Sequence, residues 1–263
     1  MNLRVLFTMV AVLAVVFLMI PVLVVVPLSV SSANTLTFPP PGLSWRWYAA
    51  FFADPRWVAA SVNSMIIAGT ASVGALVLGS LAAYGLVRGN FLGRRILETN
   101  FVAPLIVPPV VNAIALYIIY ARVGLLGSFS GLIAAHIVIA APYVVLLLSV
   151  AIRGFDQRIE HVAETLGASR GIILGYVLFP NLLPSLIAAW VLAFVVSFDE
   201  LILTFFLFGT YDTLPKRMFV LLEQKVDPTI TAVATMLIGL SCVSLLLIVR
   251  LLRNSGVLNP VER

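Results

Sequence analysis

The stretch FDQRIEHVAETLGASRGIILGYVLFPNLLP, Phe155–Pro184, is polar and amphipathic, while the segments on both sides of it are apolar enough to cross a bilayer. Within it, apolar residues recur at the spacing of one helix face: Phe155, Ile159, Val162, Ala163 and Leu166. Polar residues fall elsewhere around the same helix: Gln157, Arg158, Glu160, His161 and Glu164. This pattern predicts a helix that lies against another surface.

The end of that helix is also marked in the sequence. Gly167 follows it directly, and a glycine there can take the left-handed conformation that ends a helix. Pro180 and Pro184 then limit a second short helical run. The whole stretch is therefore predicted to form a compact docking element.

Composition places the chain in a membrane, because 62% of its 263 residues are hydrophobic, 10% are charged and the mean hydropathy is +1.12. The single cysteine, Cys242, excludes an intrachain disulfide. The two histidines, His136 and His161, are too few for a His and Cys metal site, so we expect no metal and no cofactor. His136 stands alone in an apolar run and is expected to hydrogen-bond within the bundle. The +5 net charge comes largely from arginines beside apolar runs, which is a topology signal and does not indicate a nucleic-acid partner.

Six segments reach the roughly 20 apolar residues that a spanning helix needs. They are Val5–Val30, Val58–Val87, Phe101–Ala121, Leu132–Ile152, Leu183–Phe208 and Ile230–Leu252. The first is too long for the core of a secretory signal peptide, so it is predicted to be a retained helix. The fold class is therefore all-α and polytopic, with the whole chain, residues 1–263, forming one transmembrane domain.

Six spans place both termini on one side of the membrane, and ten of the 16 Lys and Arg residues lie on that side. The inner set is Arg4, Arg88, Arg94, Arg95, Arg153, Arg158, Arg170, Arg250, Arg253 and Arg263. The outer set is Arg46, Arg56, Arg122, Lys216, Arg217 and Lys225. Positive charge favours the cytoplasmic side, so both termini and the loop at about 153–182 are predicted to be cytoplasmic.

Two spans carry signals of how they pack. The second has small residues at four-residue spacing, a ridge on which another helix can pack closely: Ala71, Ala75, Gly79 and Ala83. The third contains Pro104, Pro108 and Pro109 before Asn112, which predicts a kink whose freed carbonyls are satisfied within the bundle or by water. Asn112 could line a pathway or serve bundle packing, and the sequence leaves both readings open.

Asp199 and Glu200, in VVSFDELILTFF, are the only acids inside the six predicted spans. An ionised carboxylate in hydrocarbon costs about 2.5 kcal/mol or more, so both should face away from lipid. Adjacent positions of a helix are about 100° apart, so one acid would face a pathway while the other pairs across a helix interface. From these residues alone, a role in a cation path and a role in a fixed ion pair with a partner subunit are equally well supported.

No motif for chemistry accompanies these acids. The sequence contains no GxxxxGK[ST], GxSxG or HExxH pattern, and His161 lies on the polar side of the docking helix, where a solvated or capping role is the common one. We therefore expect a protein that is not an enzyme and does not hydrolyse ATP itself.

The segment HVAETLGASRGIILGYVLFPNLLPSLIAA resembles the EAA loop of permease subunits of bacterial ABC importers. Ala163, Gly167 and Leu183-Pro184 match that pattern, whereas His161 stands at the position of its Glu and Val162 at its first Ala, with Glu160 one residue earlier. Three further stretches are similar to the second permease subunit of spermidine/putrescine importers: SFDE at 197–200, LPKRMFVLLEQKVDPTITAVATMLIGLS, and WYAAFFADPRW.

This resemblance implies a type I importer permease with a cytoplasmic coupling helix in the bacterial inner membrane. It implies a second homologous permease, two copies of a cytoplasmic ATPase that dock on the two EAA loops, and a periplasmic binding protein that delivers substrate. Glu160, His161, Ala163 and Gly167 would then couple the permease to the ATPase. Closing of the ATPase dimer on ATP would flip the bundle from inward-facing to outward-facing.

For the substrate, Asp199 and Glu200 suit a polycation, and the resemblance points to polyamines. The same machinery could instead carry an opine, an amino acid, aminoethylphosphonate or ferric iron. A proton-coupled carrier that uses one of the acids as its proton site is a further alternative, although the sequence has no detectable inverted repeat.

Overall fold

The computed structural model describes residues 3–209, 211–224 and 227–254, and within these ranges the chain is helical, with one isolated β-bridge between Ser31 and Leu43. Lys225 and Arg263, which the charge count includes, lie outside the described residues. The helices in chain order are α1 (Leu3–Ser29), α2 (Arg46–Ala53), α3 (Pro55–Arg88), α4 (Arg94–Ile106), α5 (Pro109–Val123), α6 (Phe129–Gly154), α7 (Gln157–Thr165), α8 (Arg170–Ile172), α9 (Phe179–Asn181), α10 (Leu183–Phe198), α11 (Ile202–Leu207), α12 (Leu214–Gln224) and α13 (Thr229–Asn254). A π-helical turn, Ile173–Leu178, joins α8 to α9.

Four helices are long and apolar enough to cross a membrane: α1, α3, α6 and Thr229–Leu246 of α13. Two more spans arise if each of two bent helix pairs counts as one, which gives the predicted six. The pair Arg94–Ile106 and Pro109–Val123 is bent by 108°, much more sharply than the predicted kink. The pair Arg170–Asn181 and Leu183–Phe198 is bent by 82°. If this pair is one span, the span includes Arg170–Asn181, which the sequence predicts to be part of the cytoplasmic loop.

The predicted continuous helix over Leu183–Phe208 is wrong. Helix α10 ends at Phe198, and α11 begins only at Ile202. Asp199 and Glu200 therefore lie in a break between two helices, and the argument from adjacent helical positions does not apply to them. An interruption of this kind is tolerated at membrane depth where it faces protein or a water-filled cavity.

The chain clusters into two compact units. One consists of Met1–Ala59 and Arg217–Val243, and the other of Ala60–Lys216 and Ser244–Arg263. Whether the chain acts as the single domain predicted from the sequence stays a prediction.

The core of the larger unit forms where α3, α6 and α10 meet. The small-residue ridge on α3 is confirmed, because Ala71, Ala75 and Ala83 are fully buried. A Cβ on Gly79 would lie 2.7 Å from Cγ1 of Val144 on α6. Such an approach leaves no room for a side chain, so the glycine allows α3 and α6 to pack closely.

The smaller unit is fastened by aromatic and charged side chains. The Trp47 indole donates to the Ser31 carbonyl at 2.9 Å. The Arg217 guanidinium lies 3.2 Å from Asp54 and 5.0 Å from the centre of the Trp57 ring. The pKa of Asp54 is lowered, chiefly by a hydrogen bond from the Arg56 side chain, despite an opposing effect of burial.

Candidate functional site

The first candidate site is the segment around α7, whose two ends are both capped. At its start, the Asp156 side chain accepts a hydrogen bond from a first-turn amide at 2.9 Å. At its end, Gly167 has φ +87°, as predicted. The Ala168 amide donates to the Ala163 carbonyl at 3.0 Å and the Gly167 amide to the Glu164 carbonyl at 2.9 Å. This pair of bonds is the Schellman arrangement, so Gly167 and Ala163 both terminate the helix.

The apolar face of α7 points away from the chain. Ile159, Val162 and Leu166 are 47%, 58% and 83% exposed, whereas Glu160 is only 5% exposed. The sequence predicts Glu160 on the polar side of the helix. In the structure this carboxylate is buried, because it faces the chain and not solvent. Of the face predicted to lie against another surface, Ile159, Val162 and Leu166 are exposed in this chain, whereas Phe155 packs against the core and Ala163 is half-buried.

Glu160 is held by Arg88, the last residue of α3. The Arg88 Nε donates to Glu160 Oε1 at 2.8 Å, and Nη2 lies 2.7 Å from the same oxygen. Nη2 also donates to the Phe155 carbonyl at 2.9 Å. The two side chains are only 12% and 6% exposed. The pair therefore ties α7, and the chain entering it, to the end of a membrane-spanning helix.

His161 and Glu164 lie on the outer side of the same helix. His161 Nδ1 is 3.1 Å from Glu164 Oε2, and the two side chains are 62% and 47% exposed. An exposed pair of this kind stabilises a helix by only a few tenths of a kcal/mol. His161 is thus exposed on the outer side of α7, and Ala163 lies half-buried at the last turn.

The second candidate site lies where two helix interruptions share one pocket of about 120 Å³. Its polar side chains come from three elements: Asn112 of α5, Tyr143 of α6, and Glu200 between α10 and α11. The pocket wall includes Val107, at the break between α4 and α5. Non-helical backbone from two parts of the chain therefore meets around a small polar cavity.

Asn112 repairs the first interruption. Pro108 has no N–H, so the Pro104 carbonyl loses the partner it would have in a helix. The Asn112 side-chain Nδ2 donates to that carbonyl at 3.1 Å and to the Val107 carbonyl at 3.4 Å. For the Pro104 carbonyl, the prediction that a freed carbonyl is satisfied within the bundle or by water is confirmed, by a side chain of the chain itself.

The two acids occupy different environments. Glu200 is partly buried, lines the pocket, and its Oε1 accepts a hydrogen bond from the Leu203 amide at 2.9 Å, which caps α11. Asp199 is exposed on the surface of the chain. Just before them, Ser197 Oγ lies 2.8 Å from His136 Nδ1, so His136 does hydrogen-bond within the bundle as predicted.

Sequence reasoning missed two residues of these sites. Arg88 was counted only as a positive charge, and nothing in the sequence pairs it with Glu160, 72 positions later. Tyr143 gave no signal, because a tyrosine inside an apolar run is unremarkable. Its place about three turns before the end of a long helix becomes meaningful only once the pocket is seen.

Within the described residues, a helical fold with several candidate spans, a pocket between broken helices and an exposed amphipathic helix is typical of membrane transport permeases. Residues 75–255 match the family described as binding-protein-dependent transport system inner membrane component. The chain belongs to this family and is a multi-pass inner-membrane protein.

Two relatives that are named for polyamine transport align with most of the chain. It is 31% identical over 201 residues to the spermidine/putrescine transport system permease protein PotC of Haemophilus influenzae, covering 76% of this chain and 78% of that one. It is 31% identical over 206 residues to the putrescine transport system permease protein PotI of Escherichia coli, covering 75% and 73%.

A solved structure confirms the type I permease fold. It is a bacterial ABC transporter involved in the import of the acidic polysaccharide alginate, which matches with a TM-score of 0.75 at 17% identity and covers 94% of this chain and 96% of the other. At that identity the match supports the fold and carries no statement about substrate.

Proposed function

We propose that this chain is the transmembrane permease subunit of an ATP-driven importer of polyamines. The observation that carries the proposal is the position of Glu200, a carboxylate in a polar pocket formed by two helix interruptions. A buried acid in a spanning region needs a partner or a passing cation to offset its desolvation. The relatives PotC and PotI, named for spermidine and putrescine transport, support a polycation as that partner.

Asp199 complements Glu200 in this proposal. Its side chain is exposed on this chain, so it is free to face a pathway that lies between this permease and a second, homologous one. Glu200 would then bind the substrate inside this chain, and Asp199 would attract it at the interface. Both carboxylates would lower the electrostatic barrier to a polycation crossing the bilayer.

The segment around α7 would dock on a separate ATPase subunit, which supplies the hydrolysis that this chain lacks motifs for. Its exposed Ile159, Val162 and Leu166 offer an apolar surface for that subunit, with His161 beside them. Glu160 contributes from the inside, by holding α7 on Arg88. Gly167 and Ala163 contribute by ending the helix at a fixed residue.

In the assembled importer, two ATPase copies would serve the two permeases, and a periplasmic binding protein would deliver the substrate. Both termini and the α7 segment would be cytoplasmic, which follows the excess of arginine on that side. The large bends in the spanning region would lie around the substrate pathway.

The test is uptake of labelled putrescine and spermidine by cells that lack this gene, with and without the gene restored. Excess unlabelled polyamine, opine, amino acid, aminoethylphosphonate or ferric chelate is added as competitor. We expect restored uptake that only polyamines compete. Competition by another solute, or no polyamine uptake, would refute the substrate and leave the importer class standing.

The energy source is tested in the same cells. Uptake should persist when a protonophore collapses the membrane potential and stop when ATP is depleted. Loss of uptake with the protonophore at normal ATP would instead favour a proton-coupled carrier.

A further inference from the structure

The pocket between the two helix interruptions holds more than the acid. Three polar side chains line it, and they come from segments far apart in the sequence: Asn112, Tyr143 and Glu200. The remaining wall is apolar, for example Leu105 and Ile139. A few polar groups converging in an otherwise apolar cavity are typical of a ligand site.

The hydrogen bonds already made leave acceptors for a ligand. The Asn112 amide nitrogen is used by the Pro104 and Val107 carbonyls, so the amide oxygen is the group that remains. Glu200 uses one oxygen on the Leu203 amide, and a carboxylate has further lone pairs. Within the described residues the Tyr143 hydroxyl makes no hydrogen bond, so its oxygen can accept too.

We propose that this pocket is a subsite for one primary ammonium group of the substrate, bound by Glu200, Asn112 and Tyr143. An alkylammonium has three N–H donors and no acceptor, which matches three acceptor groups. Glu200 supplies the countercharge, and the Tyr143 ring can add a cation–π contact. This inference rests on the proposed polyamine function and adds to it the residues that recognise the substrate end.

The size of the pocket decides how much of the substrate it takes. The pocket is small, at about 120 Å³, and it is partly open. It therefore suits one aminoalkyl end, while the rest of a polyamine would extend out of it. The subsite would therefore distinguish a charged amine end from a capped one, whatever the chain length behind it.

The key variant is Tyr143→Phe, which removes one hydroxyl and keeps the ring. Tyr117→Phe is the matched control, because Tyr117 is an exposed tyrosine on α5 that does not line the pocket. Glu200→Gln is a second test, since its amide oxygen can still accept the Leu203 N–H and cap α11. Uptake of labelled putrescine and of monoacetylputrescine is measured for each, normalised to the amount of chain in the membrane.

We expect Tyr143→Phe to lower putrescine uptake by at least about tenfold, because that is the lower end of the effect of removing a hydrogen bond to a charged group. The ratio of putrescine to monoacetylputrescine uptake should fall toward one in this variant and in Glu200→Gln. A general folding defect would lower both rates equally. The binding protein is the same in all strains, so a changed ratio belongs to the permease.

An unchanged ratio in both pocket variants, with normal putrescine uptake by the unaltered chain, would overturn the subsite and leave the polyamine importer standing. No putrescine uptake by the unaltered chain would overturn the proposed substrate and the subsite together. A drop of equal size in Tyr117→Phe would also overturn the subsite, because that tyrosine lies outside the pocket.

Discussion

Removing the Glu160 carboxylate should release α7 from the end of α3. The side chains of Arg88 and Glu160 are 12% and 6% exposed and meet at 2.7 Å. Taking one partner from a buried ion pair costs about 3–5 kcal/mol, because the other charge stays buried. Arg88 keeps its bond to the Phe155 carbonyl and some contact with solvent, so we expect the lower end, about 3 kcal/mol.

The assay is amide hydrogen exchange of residues 157–165 in the purified protein. A loss of about 3 kcal/mol corresponds to exchange on the order of 100-fold faster for amides that open with this contact. Glu160→Leu should show that change. Glu164→Gln is the matched control on the same helix, because its pair with His161 is about half exposed and should change exchange by less than a few fold.

A double variant separates the ion pair from general damage. Replacing both partners by apolar residues, Arg88→Met with Glu160→Leu, leaves no buried charge and should recover most of the protection, since such replacements are often neutral. The reasoning would be refuted if Glu160→Leu exchanged like the unaltered chain, or if the double variant were no better protected than the single one.

Three further outcomes follow from backbone fit and charge. Gly167→Ala should weaken the end of α7 by about 1 kcal/mol and lower uptake without preventing membrane insertion, because φ is +87° there. Gly171→Ala, in the short helix α8, should do neither, because φ is not positive there and the space around the new Cβ is open. Gly79→Ala should destabilise the bundle by about 1–3 kcal/mol in thermal unfolding, since its Cβ would meet Val144, and Gly69→Ala, with nothing within 4 Å, serves as the comparison. The pKa of Asp54 is lowered by its hydrogen bond from Arg56. Its contribution to the free energy of unfolding is therefore complete above the unfolded pKa of 3.8 and is lost as pH falls through the lower folded pKa. In Asp54→Asn the melting temperature should depend less on pH over this acidic range.

The four unbroken spans could be predicted because hydrophobic length is a property of consecutive residues. The end of α7 could be predicted for the same reason, since Gly167 marks it locally. The pairing of Arg88 with Glu160 could not, because two residues 72 positions apart meet only through the packing of the bundle.

The rotation of α7 shows a different limit. An amphipathic pattern separates two faces but does not say which of them the chain itself covers. Here the buried side carries Glu160, while Ile159 and Val162 are exposed. A helix that packs on a second subunit and a helix that packs on its own chain can have the same amphipathic sequence, so the sequence of one chain does not distinguish them.

The break at Asp199 escaped prediction because apolar residues continue on both sides of it, without a glycine or proline at the break itself. Only the acids mark the position, and the apolar pattern around them predicts a continuous helix. In the structure the helix ends at Phe198, and the Glu200 carboxylate caps the next helix, α11, by accepting a hydrogen bond from the Leu203 amide. An acid that is unfavourable in the middle of a span is thus stabilising at the start of a short helix.

The two candidate sites are joined by one rigid element. Tyr143 of the pocket and Gly154, the residue before Phe155, both lie on α6, 11 residues or about 16 Å apart. No proline interrupts this part of α6, and its buried face, Val144, Leu148 and Ile152, packs in the core that includes α3 and α10. We therefore expect a displacement of the α7 segment to be passed by α6 to the pocket as a rigid-body movement. Since Arg88 fastens α7 to α3 at the same end, the Glu160 variant should loosen this connection while leaving the pocket residues in place.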